Sequence, residues 1–273
     1  MRLLSAAVLR VNRILLLGAT ALALLGVCAG FTVAAGSGDP KRDALRRQSA
    51  AVLRFAKLGL PIYCGGGKGN YVAFTFDDGP GPYTQQLLQV LARHRARATF
   101  FLIGQNVIKR PQLARLELRY GAVGQHSWSH PVLKGLPPEL LDYQLRKPQD
   151  TMRRVLGRRV RLFRPPFGAR DAAVDAKAKE LGLLQVLSSV DSGDASEPST
   201  PSAEKIAQNL SDRVKPGAIV LLHENITGTP SIRGLDMFLP MLKSRGLVAA
   251  SVPELLALDP PTVSDVRKGP ANC

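Results

Sequence analysis

The chain has 273 residues, of which 45% are hydrophobic, so it is long and apolar enough to bury one sizeable core. Its 37 lysine and arginine residues outnumber 21 acidic residues, and the formal net charge of +16 favours contact with polyanions. Aromatic residues make up only 5%, and no basic run carries a nucleic-acid motif. We therefore expect no nucleic-acid partner, and the charge favours an acidic cell envelope or anionic lipid instead.

The N-terminal segment is typical of an export signal or a membrane anchor. Arg2, Arg10 and Arg13 precede residues 14–35, an apolar run without a charged residue. This run is longer than the core of a usual signal peptide and approaches the length of a membrane span. Residues 33–35 form a candidate cleavage site, and an uncleaved run would be the contact with the membrane. Either interpretation exports the rest of the chain.

Three cysteines are present, and one of them, Cys28, lies in the apolar leader. Cys64 and Cys273 remain as an even pair in an exported chain, where the compartment is oxidising. We therefore expect these two residues to form a disulfide. Two free thiols are the alternative.

A linker and a basic helix follow the leader. Residues 36–42 are polar and contain glycine and proline, and residues 43–58 carry apolar residues at helical spacing among basic ones. The pattern predicts a basic amphipathic helix, which either contacts anionic lipid or is solvated at the edge of the domain. The predicted division is a leader (1–35), a linker with a basic stalk (36–63) and a main domain (64–273).

Strands and helices alternate through the main domain. Strands are predicted at residues 71–76, 99–103, 122–125, 160–163, 183–190, 218–222 and 247–251. Helices are predicted at residues 83–95, 112–119, 138–156, 172–181, 203–214 and 237–244. This alternation predicts a parallel sheet with right-handed crossovers, and no glycine-rich phosphate loop opens a helix. The predicted fold is a closed or nearly closed α/β barrel, in which chemistry lies at the carboxyl ends of strands.

The first predicted strand ends in two adjacent carboxylates. Residues 71–76 are apolar, β-branched or aromatic, Asp77 and Asp78 follow at once, and Gly79 and Pro80 end the strand. Neighbouring residues of a strand point to opposite faces, and two like charges at a buried strand end repel. A metal ion would separate their roles, because one carboxylate could bind the cation while the other stays free as a base. An ordinary Asp-Gly turn is the alternative.

Three of the four histidines also lie at predicted strand ends. His126 and His130 are four residues apart, which puts both imidazoles on one face of a helical turn. With Asp78 they supply two imidazoles and a carboxylate and leave positions for water and substrate. Two polar surface histidines are the alternative. His223 ends an apolar strand, where it is suited to acid–base chemistry or can be a core histidine with satisfied hydrogen bonds.

Two more predicted strand ends carry charged residues. Arg164 precedes Pro165 and Pro166, which stiffen the turn, and it is suited to holding a carboxylate or to forming a surface ion pair. Asp191 and Asp194 follow another apolar strand. An Asp-Ser-Gly-Asp run is most often a solvated turn, but here it could orient an imidazole or pair with Arg164.

Five motifs occur in order along the chain, namely TFDDGP (75–80), HSWSH (126–130), RPPFG (164–168), DSGD (191–194) and LLH (221–223). Their succession resembles the polysaccharide deacetylases, the NodB-homology domain of carbohydrate esterase family four. The ATFFLIG segment at 98–104 and the Gly-Gln pair before His126 match as well. The resemblance covers roughly residues 71–256, and five ordered motifs are far more specific than any one of them.

The resemblance implies a distorted, partly open (β/α) barrel and metal-dependent removal of acetyl groups from an acetylated polysaccharide. The expected substrate is peptidoglycan or a chitin-like polymer of N-acetylglucosamine, with acetylated xylan as the O-acetyl alternative. The implied cofactor is a divalent ion, zinc first, with cobalt, nickel or manganese as alternatives. Such an enzyme would be secreted or anchored facing outside. A non-catalytic glycan- or wall-binding module is the other class, but binding alone would not require the acid–base residues.

The resemblance also implies a role for particular residues. The implied metal ligands are Asp78, His126 and His130. The implied acid–base residues are Asp77 as the base, Arg164 orienting Asp77, His223 as the acid and Asp194 tuning His223. Leu221 would line the pocket for the acetyl methyl group, and the backbone N–H of Phe167 would help to hold the oxyanion. One position departs from the family, because Ala195 stands where a tryptophan wall of the groove is usual.

Overall fold

The fold is built around one long strand, β1 (Tyr71–Gly79), in which every residue after Tyr71 is buried. A computed structural model describes residues 39–195, 201–224 and 228–273. The predicted leader (1–35) and its candidate cleavage site lie outside these residues. Within the described ranges, no helix is both long enough and apolar enough to cross a membrane.

The strands form one parallel sheet that curls into a half-barrel. In the described residues, the strands after β1 are β2 (Ala98–Leu102), β3 (Gly121–Gln125), β4 (Leu162–Phe163), β5 (Leu184–Gln185), β6 (Val190–Asp191), β7 (Ile219–His223) and β8 (Val248–Ala250). Their order is β5-β4-β3-β2-β1-β7-β6, and β8 pairs with the start of β1. Because β5 and β6 follow each other in the chain but lie at opposite ends of this order, the barrel is open between them. The predicted α/β fold, a partly open (β/α) barrel, is confirmed.

Helices connect the strands and cover the sheet. They are α1 (Pro40–Ala56), α2 (Thr84–His94), α3 (Gly104–Lys109), α4 (Pro111–Tyr120), α5 (Pro138–Leu156), α6 (Ala172–Glu180), α7 (Ala203–Arg213), α8 (Gly228–Ser244), α9 (Val252–Leu258) and α10 (Val263–Lys268). Short 3-10 helices lie at Pro166–Gly168 and Gly269–Asn272. The predicted helix over residues 138–156 has the observed bounds of α5, whereas α3, α9 and α10 were not predicted.

The prediction of one continuous strand over residues 183–190 is wrong in the middle of that range. The structure has two short strands there, β5 and β6, and the residues between them are not part of a strand. The carbonyls of Val186 and Leu187 accept hydrogen bonds from the Arg164 guanidinium at 2.9 and 3.3 Å. The backbone of this segment therefore holds the Arg164 side chain in place, a role that its apolar sequence does not indicate.

The helix predicted at residues 43–58 is present as α1 and packs against the main domain. The Asp39 side chain caps its start by accepting a hydrogen bond from the backbone N–H of Lys41 at 3.0 Å. Val52, Phe55 and Ala56 are buried in a cluster that also contains residues of α9 and of the sheet. The basic residues of α1 are exposed. The division of the chain into leader, stalk and main domain remains a prediction.

Side chains alternate between the two faces of the sheet along the central strands, and this alternation decides on which face Asp77 and His223 lie. Phe74 and Phe76 on β1 pack with the outer helices, and burying each phenylalanine side chain contributes about 2–3 kcal/mol. Ala73, in contrast, packs in the second cluster on the other face of the sheet. Asp77 has the same parity as Ala73, and the register of β1 with β7 pairs it with His223. Sheet periodicity and register thus bring an acid and an imidazole together at the carboxyl ends of two neighbouring strands.

The predicted disulfide is present. Cys64 and Cys273 are bonded, with Cα atoms 5.9 Å apart and a sequence separation of 209 residues. Cys64 also forms a backbone bridge with Ala218, just before β7. The bond therefore ties the last residue of the chain to the segment that leads into the central strands.

We expect replacement of both cysteines by serine to lower the free energy of unfolding. Closing so long a loop restricts the unfolded chain, and the chain-entropy relation gives an upper value of about 5 kcal/mol. Urea unfolding of the oxidised protein and of the double variant measures the difference. Equal stability of the two proteins would contradict the expectation, and reduction of the wild type should reproduce the effect of the variant.

Candidate active site

A β-bulge at the end of β1 turns the carboxylates of Asp77 and Asp78 to the same side of the strand. The pairing with β2 shifts register between Asp77 and Gly79, so Asp78 is an extra residue, and its φ of 73° is left-handed. Asp77 Oδ2 and Asp78 Oδ1 lie 3.6 and 3.7 Å from the same atom, His126 Nε2. The expectation that adjacent carboxylates point to opposite faces is wrong here because of this bulge. Asn106 on α3 supports it by donating to the Asp78 carbonyl at 2.9 Å.

His126 and His130 lie in a loop after β3 and not on a helical turn as predicted. Ser127 and His130 have left-handed φ values of 63° and 64°, which fold the loop back on itself. The two imidazole centroids are 4.9 Å apart. His126 Nδ1 lies 2.7 Å from the Arg164 carbonyl, so Nδ1 carries the proton and Nε2 is the available ligand atom. His130 Nε2 lies 3.2 Å from Asp78 Oδ1.

Asp78, His126 and His130 together suit a divalent cation. One ligand atom of each residue lies within 4.8 Å of the other two. Both Asp78 oxygens are buried and accept no hydrogen bond from the described residues, a cost that a bound cation would remove. Burial and the nearby His126 lower the pKa of His130, which favours the neutral, metal-binding imidazole. Two imidazoles and a carboxylate are a donor set for zinc or a related transition metal.

Asp77 is held by a buried arginine. Arg164 Nη1 donates to Asp77 Oδ1 and to Thr75 Oγ1, each at 2.8 Å, and both members of the ion pair are 3% exposed. The guanidinium also lies over the Phe101 ring, 4.4 Å from its centroid. Burial lowers the pKa of Arg164 and the charge of Asp77 opposes this, but a guanidinium stays protonated in proteins. The pair thus fixes a carboxylate next to the metal-ligand cluster.

His223 faces Asp77 from β7 and is bound on its other side by Asp194. Asp194 Oδ1 lies 2.9 Å from His223 Nδ1, and Asp194 Oδ2 accepts the backbone N–H of His223 at 2.8 Å. Burial alone would lower the pKa of His223. The hydrogen bond to Asp194 and the charges of Asp194, Asp77 and Asp78 outweigh burial and raise this pKa to about 9. A protonated imidazole near neutral pH is suited to giving a proton.

The other candidate residues border this centre. Asp191 Oδ1 accepts the N–H of Gly193 at 2.8 Å and closes its own turn, so Asp194 is the member of the motif that orients an imidazole. The Phe167 ring lies 4.7 Å from the His130 ring, and its backbone N–H meets no acceptor in the described part of the chain. Leu221 is partly buried on β7, and Ala195 is exposed.

Sequence reasoning missed a buried carboxyl pair behind the end of β1. Glu117 on α4 and Glu224 after β7 are both fully buried, and Glu224 Oε2 accepts a hydrogen bond from Thr84 Oγ1 at 2.8 Å. Burial raises the pKa of Glu117 well above its usual value and that of Glu224 to about 7, so the pair retains a proton near neutral pH. A Cβ at Gly79 would lie 1.3 Å from Glu224 Oε1, so this position needs glycine. The available signal was a glutamate at an apolar position of α4.

We expect Glu117→Gln to reduce the loss of stability at high pH. A carboxyl whose pKa is raised by folding stabilises the fold below its ordinary pKa and loses that contribution as the pH rises through the raised value. The amide cannot ionise and can donate to Glu224. The decrease in unfolding free energy between about pH 5 and about pH 8 should therefore shrink by at least about 1 kcal/mol, one unit of pKa.

Urea unfolding at the two pH values measures this decrease. Glu139→Gln is the matched control, because Glu139 is exposed in the first turn of α5. The same pH dependence in Glu117→Gln and wild type would contradict the expectation.

Comparisons with known proteins agree with this geometry. Residues 65–186 match the polysaccharide deacetylase family. A chitooligosaccharide deacetylase from Azorhizobium caulinodans is 32% identical over 197 residues, which span 67% of this chain and 92% of that relative. A peptidoglycan-N-acetylglucosamine deacetylase from Bacillus cereus is 35% identical over 188 residues, spanning 68% of this chain and 87% of the relative.

Solved structures show the same architecture. A peptidoglycan N-acetylglucosamine deacetylase superposes with a TM-score of 0.69 at 29% identity, covering 79% of this chain and 99% of that one. A carbohydrate esterase family four pseudoenzyme from Bacillus anthracis has a TM-score of 0.66 at 29% identity, covering 72% of this chain and 68% of that one. The fold, the order of the motifs and the similarity to these proteins together identify the fold of carbohydrate esterase family four. The chain belongs to the polysaccharide deacetylase family.

Proposed function

We propose that this protein is a metal-dependent N-deacetylase that removes acetyl groups from N-acetylglucosamine units of peptidoglycan or a chitin-like polymer. One observation carries the proposal: the Asp78–His126–His130 cluster lies beside the buried Asp77–Arg164 pair. Binding a cation would need only the cluster. A carboxylate held next to it and a protonated histidine across from it supply a base and an acid as well.

The residues have separate tasks in hydrolysis of the amide. Asp78, His126 and His130 would hold the cation, which supplies acidification of water and polarisation of the acetyl carbonyl. Asp77 accepts a proton from the attacking water, while Arg164 balances the charge of the carboxylate. The N–H of Phe167 donates to the oxyanion as it develops.

Breakdown of the tetrahedral intermediate needs an acid. His223 donates its Nε2 proton to the leaving nitrogen, the C–N bond breaks, and the products are acetate and a free amine. Asp194 holds Nδ1 and thereby directs Nε2 outward. Leu221, partly buried on the same strand, would contact the acetyl methyl group.

Charge and similarity support an envelope substrate. Removing the three arginines of the leader from the net charge of +16 leaves +13, which favours an anionic cell envelope. The relatives named above act on peptidoglycan or chitooligosaccharide by name. We therefore propose an exported enzyme that works at the envelope. Acetate release from chitin oligomers, peptidoglycan and acetylated xylan tests the substrate, and a marked preference for xylan would overturn the N-deacetylase assignment.

Two single substitutions, Asp77→Asn and Asp78→Asn, should distinguish the role of the proposed base from that of the proposed metal ligand. Asp77→Asn keeps size and shape but removes the proton acceptor, so turnover should fall at least about 10²-fold while metal content stays near wild type. Asp78→Asn should instead weaken metal binding, with activity partly restored in excess metal. Metal stoichiometry and acetate release are measured on both variants. Metal loss in Asp77→Asn with retention in Asp78→Asn would reverse the two roles.

Asp194→Asn should move the alkaline limb of the pH profile of kcat/KM to lower pH. His223 must be protonated to act as the acid, and its pKa is raised to about 9 chiefly by Asp194 against the effect of burial. Without that carboxylate the limb should fall by roughly one pH unit or more. Asp191→Asn is the matched control from the same motif, because Asp191 closes a turn and does not touch His223. Equal shifts in both variants would refute the role of Asp194.

A further inference from the structure

The segment with both imidazoles needs outside support to keep its shape. We call residues 126–130 the histidine loop. Two of its non-glycine residues, Ser127 and His130, are left-handed, a conformation that persists only where surrounding contacts maintain it. One internal hydrogen bond, from the His130 N–H to Ser127 Oγ at 2.9 Å, closes the turn. The remaining contacts come from other elements.

A glutamine on α5 makes the side-chain hydrogen bonds to the middle of the loop. Gln144 Oε1 accepts the backbone N–H groups of Trp128 and Ser129 at 3.0 and 3.1 Å. Gln144 Nε2 donates to Ser129 Oγ at 2.9 Å. The glutamine is 9% exposed, so these groups are largely shielded from competing water. One side chain thus fixes two of the four peptide units that connect the two histidines.

The other contacts leave the loop little freedom. The N–H groups of Gly104 and Gln105 donate to the carbonyls of Ser127 and Trp128, each at 3.0 Å. A Cβ at Gly104 would lie 2.5 Å from the Trp128 ring, so the indole packs directly on the backbone of α3. The loop is therefore held between α3 and α5, and Gln144 is the α5 side chain that hydrogen-bonds its backbone.

We propose that Gln144 is a positioning residue for the metal site and sets the separation of His126 and His130 before a cation binds. The inference rests on the proposed function, because it takes these imidazoles as ligands. Gln144 touches neither imidazole, and acts by fixing two of the peptide units that connect them. Without it, binding a cation would also have to order the loop, and the affinity would fall.

The same helix provides a matched control. Gln149 is also buried on α5, at 7% exposure, and donates to the carbonyls of Val160 and Leu181 at 3.4 and 3.3 Å. These contacts join α5 to the neighbourhood of β4 and α6 and do not involve the histidine loop. Gln149→Leu therefore removes a buried amide of the same kind without releasing the loop.

The test is calorimetric titration of zinc into the metal-free, full-length protein and its variants. Gln144→Leu should bind zinc about 10- to 100-fold more weakly, the usual range for residues that support metal ligands. Gln149→Leu should bind zinc as the wild type does, and thermal unfolding of both variants in chelator measures the stability that each substitution removes. If Gln144→Leu does not fold, Gln144→Asn tests the same contacts, because its shorter side chain cannot reach both N–H groups.

Each outcome has a distinct meaning. Unchanged zinc affinity in a folded Gln144 variant would overturn the positioning role and leave the proposed deacetylase intact. Equal losses of affinity in the Gln144 and Gln149 variants would also overturn it, because they would reflect general loosening of α5. A wild-type protein that binds no zinc would overturn the metal site and this inference together.

Discussion

The site depends on one buried side chain, the Arg164 guanidinium. The Arg164 side chain donates to Asp77 and to two carbonyls between β5 and β6, while its own backbone carbonyl accepts the Nδ1 proton of His126. A single residue thus sets the position of the proposed base and the tautomer of a proposed ligand. Removing one partner of such a buried pair leaves the other uncompensated, at a cost of about 3–5 kcal/mol. Arg164 is therefore part of the fold as well as of the site.

Negatively charged side chains are concentrated around the Arg164 guanidinium. Asp77, Asp78 and Asp194 lie within the site, and the buried Glu117–Glu224 pair lies behind it. Burial lowers the pKa of His223, but Asp194, Asp77 and Asp78 outweigh burial and raise it to about 9. The Asp78 oxygens accept no hydrogen bond from the described residues. A divalent cation bound at Asp78 would offset part of this charge. The excess of carboxylates is thus consistent with a site built for a cation.

The sequence predicted the fold because its strands are apolar runs that alternate with helices. It indicated the candidate site residues because they follow those strands, and their roles stay predictions. It did not predict the backbone geometry that brings them together. The left-handed conformation falls on Asp78, Ser127 and His130, which are not glycines, so nothing in the sequence marks these positions as left-handed. Glu117 and Gln144 were missed for another reason: each acts through a partner distant in sequence, and each lies on a helix whose pattern indicates only packing.

The similar pseudoenzyme fold shows that this architecture alone does not establish catalysis. Under the proposed function, acetate release by this chain needs a bound metal. The direct measurement is acetate released from chitin oligomers and peptidoglycan before chelation, after exhaustive chelation, and after zinc is returned. We expect activity to be lost on chelation and recovered when the metal is returned. Full activity in the metal-free protein would contradict this expectation.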